Sequence, residues 1–583
     1  MKYKMRIMKY TIFGLLFILI GFICSCADDK GNYNYQDINK LSITGIETGN
    51  TYRKISHVDT LRIYPEVKSL TGTEGEYTYE WKFIPQNADK YKGADTLDFV
   101  VATTKDLELP ITLKADSYTC FYRVEDKATK VSWYQKFYLQ VSSLTSEGWM
   151  VLCEQDGQSR MDMIVNVDAN TDIISRDIWS ESDLVTGKPV KLMSNFSGAG
   201  GNIYLFTCEN GTYRLDQTDM HAGEDNNIKW NFGDQPDHMH VQASGVSLYN
   251  YYQYNGKYEY IDYLYWIVID ENGDVYCNNV SVNGGLFEFP INEINGMKFK
   301  AAPFVANACR YRRGGGSYTL GGTSTMLYDE AGRFIEVKAK SGGIPSVMKF
   351  SGDEILFPAE QEGKEMVLMQ STVNDGLTYV VLKDRAGDYY YYGIVLGTEG
   401  VNTQRYYGKL SGTDVDQATL FACHPLYGTL FYATKDRIYE FDMKNPSTPV
   451  KEICHFPGET IKVLKFNPFS AFRQYKVWED MRSEHLVVGT TIDGADEKGC
   501  GIMRTYEFEP QWDKAPILKK EHKGLGKIVD IAYKIIYGED DEWLVGHVDG
   551  SFVWMSINFE IYNSGKLCRL FGESIFTFPE YGR

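Results

Sequence analysis

The stretch TYVVLKDRAGDYYYYGIV, residues 378–395, shows the pattern from which most of the chain is built. Two runs of β-branched, apolar and aromatic residues flank a short turn that contains Ala386 and Gly387. Such runs are typical of buried strands, and a glycine between them is typical of a hairpin turn because glycine adopts positive φ without strain. The stretch therefore predicts a buried β-hairpin.

The same pattern recurs along the chain, at spacings of 49 to 62 residues between successive turns. The other segments are WMVLCEQDGQSRMDMIV (149–165), NIYLFTCENGTYRLD (202–216), YLYWIVIDENGDVYC (263–277), TMLYDEAGRFIEV (325–337), TLFYATKDRIYEFD (429–442), HLVVGTTIDGADEKGCGIMRTYEF (485–508) and EWLVGHVDGSFVWM (542–555). This period predicts a β-propeller over residues 146–583. Eight hairpins indicate eight blades, or seven if one hairpin is an insertion or part of a split closing blade. Two unrelated sandwiches would not explain the regularity.

A separate β-domain is predicted over residues 41–145. Apolar and polar residues alternate strictly there, as in YEWKF (79–83), and short turns separate the runs. These features indicate a β-sandwich of immunoglobulin-like or PKD-like type, with Trp81 in its core. The polar stretch SSLTSEG (142–148) is the predicted boundary with the propeller. The whole chain is therefore predicted to be all-β.

The first 25 residues have the pattern of a signal peptide. Basic residues precede an apolar run from Ile12 to Cys24, which is too short to span a bilayer comfortably. The residues before Cys26 resemble the lipobox of bacterial lipoproteins, in which cleavage leaves a cysteine that carries the lipid. Cys26 is thus the expected lipidation site, on a tether of residues 26–40. Asp28 and Asp29 resemble the acidic signal for export to the outer face of the outer membrane. A plain secretory signal is the alternative.

The lipobox with CADDKGNY (26–33), the module with YEWKF and the long all-β remainder together resemble the PKD-like family of outer-membrane lipoproteins of Bacteroidota. Only the first 145 residues carry specific motifs. The resemblance implies a surface-exposed protein beside a SusC/SusD-type transporter complex, which helps to capture a glycan or peptide ligand. It supplies no ligand-binding residues.

The composition limits the classes of partner and of metal or disulfide site that the chain is expected to have. The formal net charge is −18 at pH 7, which gives no electrostatic footprint for nucleic acid. Nine cysteines remain after Cys24 and Cys26, and no CxxC motif is present, so neither a zinc site nor a dense disulfide framework is expected. Cys153, Cys208 and Cys277 occupy strand-like apolar positions and are predicted to pack as small hydrophobic residues.

Three segments are candidates for binding. Tyr251, Tyr252 and Tyr254 belong to a tyrosine-rich stretch that could stack on sugar rings or peptide side chains, or could form ordinary cross-strand pairs. Arg310, Arg312 and Arg313 form a basic, glycine-rich stretch suited to a carboxylate, or simply a solvated loop. Trp512 lies in a predicted connection between two blades and is expected to be exposed.

No specific catalytic motif is present, and no cofactor or catalytic residue is predicted. His238 and His240 form the only close histidine pair, for which a solvated loop is favoured over a metal site. The sequence therefore favours a non-catalytic binding subunit of a nutrient uptake system. The alternatives are a propeller enzyme that degrades glycan and a purely structural subunit of the importer.

Overall fold

The structure is a computed structural model of the 583-residue chain. It describes residues 40–72, 75–85, 99–145, 147–166, 171–180, 182, 184–197, 201–217, 219–251, 261–279, 286–306, 324–338, 343–372, 377–396, 401–466, 484–509, 514–534, 542–546 and 552–556. The chain divides into two compact units, Met1–Val141 and Ser142–Arg583.

The first unit is a β-sandwich. Its strands are Leu41–Thr44 (β1), Thr51–Ile55 (β2), Thr60–Ile63 (β3), Glu66–Ser69 (β4), Tyr77–Pro85 (β5), Val100–Ala102 (β6), Leu107–Pro110 (β7), Asp116–Asp126 (β8) and Ser132–Ser142 (β9). A five-stranded sheet has the order β2-β9-β8-β5-β6, and β1-β4 and β3-β7 form two further pairs.

Alternation along the strands builds the sandwich core. Trp81 and Phe83 on β5 are buried, and residues of β3, β7, β8 and β9 pack with them. The Trp81 indole nitrogen donates a hydrogen bond of 2.8 Å to the carbonyl oxygen of Thr104, which satisfies the polar atom of this buried ring. The predicted core role of Trp81 is confirmed.

The second unit begins with three antiparallel blades. Blade 1 contains Gly148–Gln155 (β10), Gln158–Asn166 (β11) and Asp172–Ser175 (β12). Blade 2 contains Pro189–Ser197 (β13), Gly201–Cys208 (β14) and Gly211–Arg214 (β15). Blade 3 contains Val241–Tyr251 (β16), Ile261–Asp270 (β17) and Val275–Asn279 (β18). A small hairpin, Glu293–Ile294 (β19) and Met297–Lys298 (β20), follows blade 3.

Four more blades follow. Blade 4 contains Ser324–Tyr328 (β21), Phe334–Lys338 (β22) and Pro345–Val347 (β23). Blade 5 contains Lys364–Ser371 (β24), Leu377–Asp384 (β25), Tyr389–Val395 (β26) and Thr403–Lys409 (β27). Blade 6 contains Leu420–Cys423 (β28), Thr429–Ala433 (β29), Arg437–Asp442 (β30) and Lys451–His455 (β31). Blade 7 contains Glu459–Lys465 (β32), Leu486–Ile492 (β33), Gly501–Glu507 (β34) and Ile517–Leu525 (β35).

One later strand closes the ring. Lys527–Lys534 (β36) pairs antiparallel with β10, so that Met150 lies opposite Ala532 and Val151 opposite Ile531. The inner strand of blade 1 therefore comes from the far end of the propeller sequence. The eighth repeat forms Glu542–Gly546 (β37) and Phe552–Ser556 (β38), which pair with each other after the closing strand.

The hydrophobic cores between the blades also form a closed ring. In the part of the chain that the structure describes, seven clusters each combine residues of two consecutive blades, and the last joins blade 7 to blade 1. On β10, Met150 and Leu152 pack toward blade 2, whereas Val151 and Cys153 pack toward blade 7. A strand that is buried on both faces explains why the blade strands are continuous apolar runs. The predicted propeller is confirmed, and its described ring has seven blades.

An aspartate recurs at the hairpin turns between blade strands and stabilises them by hydrogen bonds. The Asp384 carboxylate accepts hydrogen bonds from the backbone nitrogens of Ala386 and Asp388, and Gly387 has a φ of 90°. Asp270 accepts equivalent bonds from Asn272 and Asp274. The carboxylate satisfies backbone donors that a tight turn leaves without partners, which explains why aspartate and glycine mark the turns.

Candidate binding site

A cavity of about 490 Å³ lies beside the outer part of blade 2. Its lining comes from the end of β15 and from the two short 3-10 helices that follow, Glu224–Asn226 and Ile228–Asn231. The lining residues are Arg214, Leu215, Asp216, Gln217, Asp225, Asn226, Asn227, Trp230 and Asn231. Most of them carry hydrogen-bonding side chains, so the cavity suits a polar ligand.

Trp230 is the aromatic surface of this cavity. Its side chain is 45% exposed, yet its indole nitrogen donates a 2.8 Å hydrogen bond to the carbonyl oxygen of Glu224. The Lys229 ammonium lies 4.9 Å from the ring centroid and is also paired with the Glu224 carboxylate. These contacts hold the ring in a fixed orientation while it remains exposed.

The asparagines shape the backbone below the ring and supply acceptors. The Asn227 side chain caps the second 3-10 helix by accepting a 3.1 Å hydrogen bond from the Lys229 nitrogen. Asn227 also bridges to Tyr213 on β15, which ties the helix to blade 2. The Asn226 side-chain oxygen is buried and has no partner among the described residues. Asn226 and Asn231 line the cavity together with the exposed Trp230 ring, a combination of amide groups and an aromatic face that suits a hydroxylated ring.

Exposed apolar side chains continue the surface beside the cavity. Phe287 pairs in parallel with Phe232, and its nitrogen donates to the carbonyl oxygen of Asn231. Its neighbours Leu286 and Phe289 are 46% and 82% exposed. Phe289 is therefore a second exposed aromatic ring on the segment that pairs with the cavity wall.

Charged side chains on the inner strands form hydrogen bonds within the protein. The Lys465 ammonium lies 2.6 Å from the Asp530 carboxylate, whose other oxygen accepts from the nitrogen of Leu192. The Lys191 ammonium donates to the carbonyl oxygen of Gln242 at 3.1 Å. Blades 1, 2, 3 and 7 supply these groups, so each contact links the inner strands of two neighbouring blades.

Most of the residues singled out in the sequence lie outside the described residues. These are Cys26, Asp28, Asp29, Tyr252, Tyr254, Arg310, Arg312, Arg313 and Trp512. Tyr251 is the last residue of β16, opposite Ile261 in the register. The proposed roles of these residues stay predictions. The connection that contains Trp512 joins β34 to β35 within blade 7, so the prediction that it lies between two blades is wrong.

The strands that lead into the tyrosine-rich segment and into the Trp512 segment end at one edge of the propeller. Successive strands of a blade are antiparallel, so the ends of its first and third strands share an edge. Tyr251 ends the first strand of blade 3, and Glu507 ends the third strand of blade 7. Arg214 ends the third strand of blade 2. The cavity therefore begins at this same edge.

The sequence interpretation missed Arg214 and Trp230. A signal was available in EDNNIKWN (224–231), where one tryptophan stands in a polar, asparagine-rich segment between strands. Arg214 carries no such signal, because it ends an ordinary strand. Only the fold brings it to the same cavity.

The structure also shows the surroundings of His240 and of the cysteines. The His240 ring contacts the carbonyl oxygen of Glu209 and the Glu271 carboxylate. Within the described residues no group of three or more histidine, cysteine or acidic side chains is placed to hold a metal ion. The described cysteines are free thiols, and Cys153 and Cys208 are buried as predicted, whereas Cys277 is partly buried.

Residues 26–189 match the model of the PKD-like family. The match covers the sandwich and the start of the propeller. No curated protein matches the sequence.

The solved structures that match this chain include the following three. A quinonprotein alcohol dehydrogenase-like protein from Bacteroides thetaiotaomicron has a TM-score of 0.36 and 11% identity, over 83% of this chain and 97% of its own. The WD40 domain of SCAP from fission yeast has a TM-score of 0.29 and 10% identity, over 63% and 79%. A DUF4784 family protein from Bacteroides caccae has a TM-score of 0.26 and 9% identity, over 72% and 96%. Strand pairing and the inter-blade cores, rather than these scores, define the propeller.

No helix among the described residues has the length and apolar character needed to cross a membrane.

Proposed function

We propose that this chain is a surface-exposed, lipid-anchored binding protein that captures a glycan for a SusC/SusD-type nutrient uptake system. The anchor would be Cys26, with Asp28 and Asp29 directing export. The observation that carries the binding function is the exposed, oriented Trp230 ring at the edge of a polar cavity. Sedimentation of a Cys26→Ala variant with membranes at the wild-type level would contradict the anchor.

The chemistry of the cavity favours a sugar over an apolar ligand. An aromatic face packs against the C–H face of a sugar ring, and amide and carboxylate groups hydrogen-bond its hydroxyls. Trp230 supplies the face, whereas Asn226, Asn231 and Asp225 supply polar groups. Phe289 provides a second exposed ring for a longer chain. The role of Tyr251, Tyr252 and Tyr254 at the same propeller edge remains part of this proposal.

The test is calorimetry of folded Trp230→Ala against a panel of neutral and acidic oligosaccharides and peptides. We expect the variant to lose at least tenfold in affinity for the glycan that the wild type binds, which is about 1.4 kcal/mol. Tyr134→Ala, which removes an exposed ring from the sandwich, is the matched control and should bind normally. Unchanged affinity in Trp230→Ala, or binding of peptides alone, would contradict the proposal.

A further inference from the structure

Arg214 is a positively charged group that lines the cavity and has no counter-charge among the residues that the structure describes. It lies at the end of β15, is half-buried and lines the cavity. Its guanidinium carbon is 5.9 Å from the centroid of the buried Trp266 ring. No described residue forms a hydrogen bond or an ion pair with its guanidinium, and burial is the cause that lowers the Arg214 pKa.

The aspartates of the cavity do not neutralise this charge. Asp216 and Asp225 are both exposed, and neither contributes to the pKa shift of Arg214. One Asp216 oxygen accepts a hydrogen bond from the nitrogen of Asp219 at 3.2 Å, as part of its own turn. Exposed carboxylates at the rim are screened by water and salt, so they repel an incoming anion only weakly.

Burial of a charge without a partner raises the free energy of the folded state. Arginine stays protonated, so it cannot lower this free energy by becoming neutral. An anionic group of a ligand would offset this unfavourable free energy by pairing with the guanidinium. The planar guanidinium matches the paired oxygens of a carboxylate or a sulfate, to which it can donate two parallel hydrogen bonds. Arg214 thus favours an anionic ligand, and Trp230 favours a sugar ring.

We propose that the cavity binds an acidic sugar, with the Arg214 guanidinium paired to its carboxylate or sulfate group. This inference rests on the proposed glycan-binding function and specifies the class of sugar. An overall acidic protein would thereby select an acidic ligand through one local contact, since the net charge of the chain opposes such binding.

The test compares pairs of ligands in which one member carries an anionic group and the other does not. One pair is a uronic acid trisaccharide and its methyl ester, and the other is an O-sulfated trisaccharide and its unsulfated parent. We expect calorimetry to show that the wild type prefers the acidic member of one pair by tenfold or more, and that salt weakens this preference. Preference in the first pair identifies a carboxylate, and preference in the second identifies a sulfate.

Variants assign the preference to Arg214. Arg214→Met should reduce the preference to less than threefold while it still binds the neutral member. Arg214→Lys, which keeps the charge without the planar fork, should retain part of the preference. Arg405→Met, which removes an exposed arginine on blade 5, should behave as the wild type.

Two results would overturn the inference: equal wild-type affinity for both members of each pair, or a full preference in folded Arg214→Met. If the wild type binds neutral and acidic glycans equally and Trp230→Ala loses both, the acidic-sugar inference fails and the proposed function stands. If the wild type binds no glycan of either kind, both fail.

Discussion

Two arginines of the propeller occupy opposite electrostatic situations. Arg160, at the joint where β36 closes the ring, is buried and forms two hydrogen bonds of 2.8 and 3.0 Å to the Asp162 carboxylate. That carboxylate also accepts from the nitrogens of Asp177 and Gly526, the residue before β36. Arg214, on blade 2, has no ion pair with any described residue and faces a cavity.

The charge of Arg160 therefore serves the fold, whereas the charge of Arg214 is available to a ligand. Every contact of the Arg160–Asp162 pair is made within the protein, and the pair links blade 1 to the chain that enters the closing strand. Arg214 makes no such link, and its contact with the Trp266 ring is the one favourable interaction that the described residues give its charge in the absence of a ligand. The same substitution should therefore have opposite consequences at the two positions.

The largest effect is expected for Arg160→Met. Removal of the guanidinium leaves the fully buried Asp162 without its charged partner, which should lower the free energy of unfolding by about 3–5 kcal/mol. Denaturant unfolding monitored by tryptophan fluorescence would measure the loss. The exposed control Arg405→Met should change it by less than about 0.5 kcal/mol. A loss below about 1 kcal/mol for Arg160→Met would mean that the joint does not depend on this pair.

The buried carboxyl group of Glu440 differs from both arginines because it can become neutral by binding a proton. Glu440 on β30 is buried between blades, and one of its oxygens has no partner among the described residues. Burial raises the Glu440 pKa to about 7, although Lys451 opposes the shift. Glu440 can thus become neutral in the folded state, which Arg214 cannot.

Glu440 should make stability depend on pH. Because the folded-state pKa is raised, its stabilising contribution is fully present below about pH 4.5 and is lost as pH rises through 7. The wild type should lose as much as about 3 kcal/mol of unfolding free energy between pH 4.5 and 8 through this group. Glu440→Gln, which stays neutral, should lack that part of the decrease. Parallel pH profiles from urea unfolding would contradict this interpretation.

The sequence predicted the fold to the extent that the fold depends on local pattern. The hairpins with Asp-Gly turns and the alternating strands around Trp81 define the propeller and the sandwich because each pattern is formed by residues close in the chain. Blade number could not be predicted in this way. It depends on the pairing of Met150 with Ala532, which lie far apart in the sequence and carry no local signal.

The candidate site was predictable only in its general character. The sequence predicts binding by aromatic residues, but its visible signals are the tyrosine-rich and arginine-rich stretches, because clusters of one residue type are apparent without knowledge of the fold. The cavity instead combines single residues, Arg214 from the end of one strand and Trp230 from a short helix. A lone arginine reveals its missing partner only when its surroundings are known.

The most direct test of the account is the free energy of unfolding of Arg214→Met, measured together with its affinity for the preferred acidic glycan. Methionine fills a similar volume without a charge, so the account predicts that stability stays within about 0.5 kcal/mol of the wild type or rises. Affinity should fall at least tenfold in the same sample. A loss of stability of about 3 kcal/mol with affinity retained would show that Arg214 serves the fold, as Arg160 does, and would contradict the account.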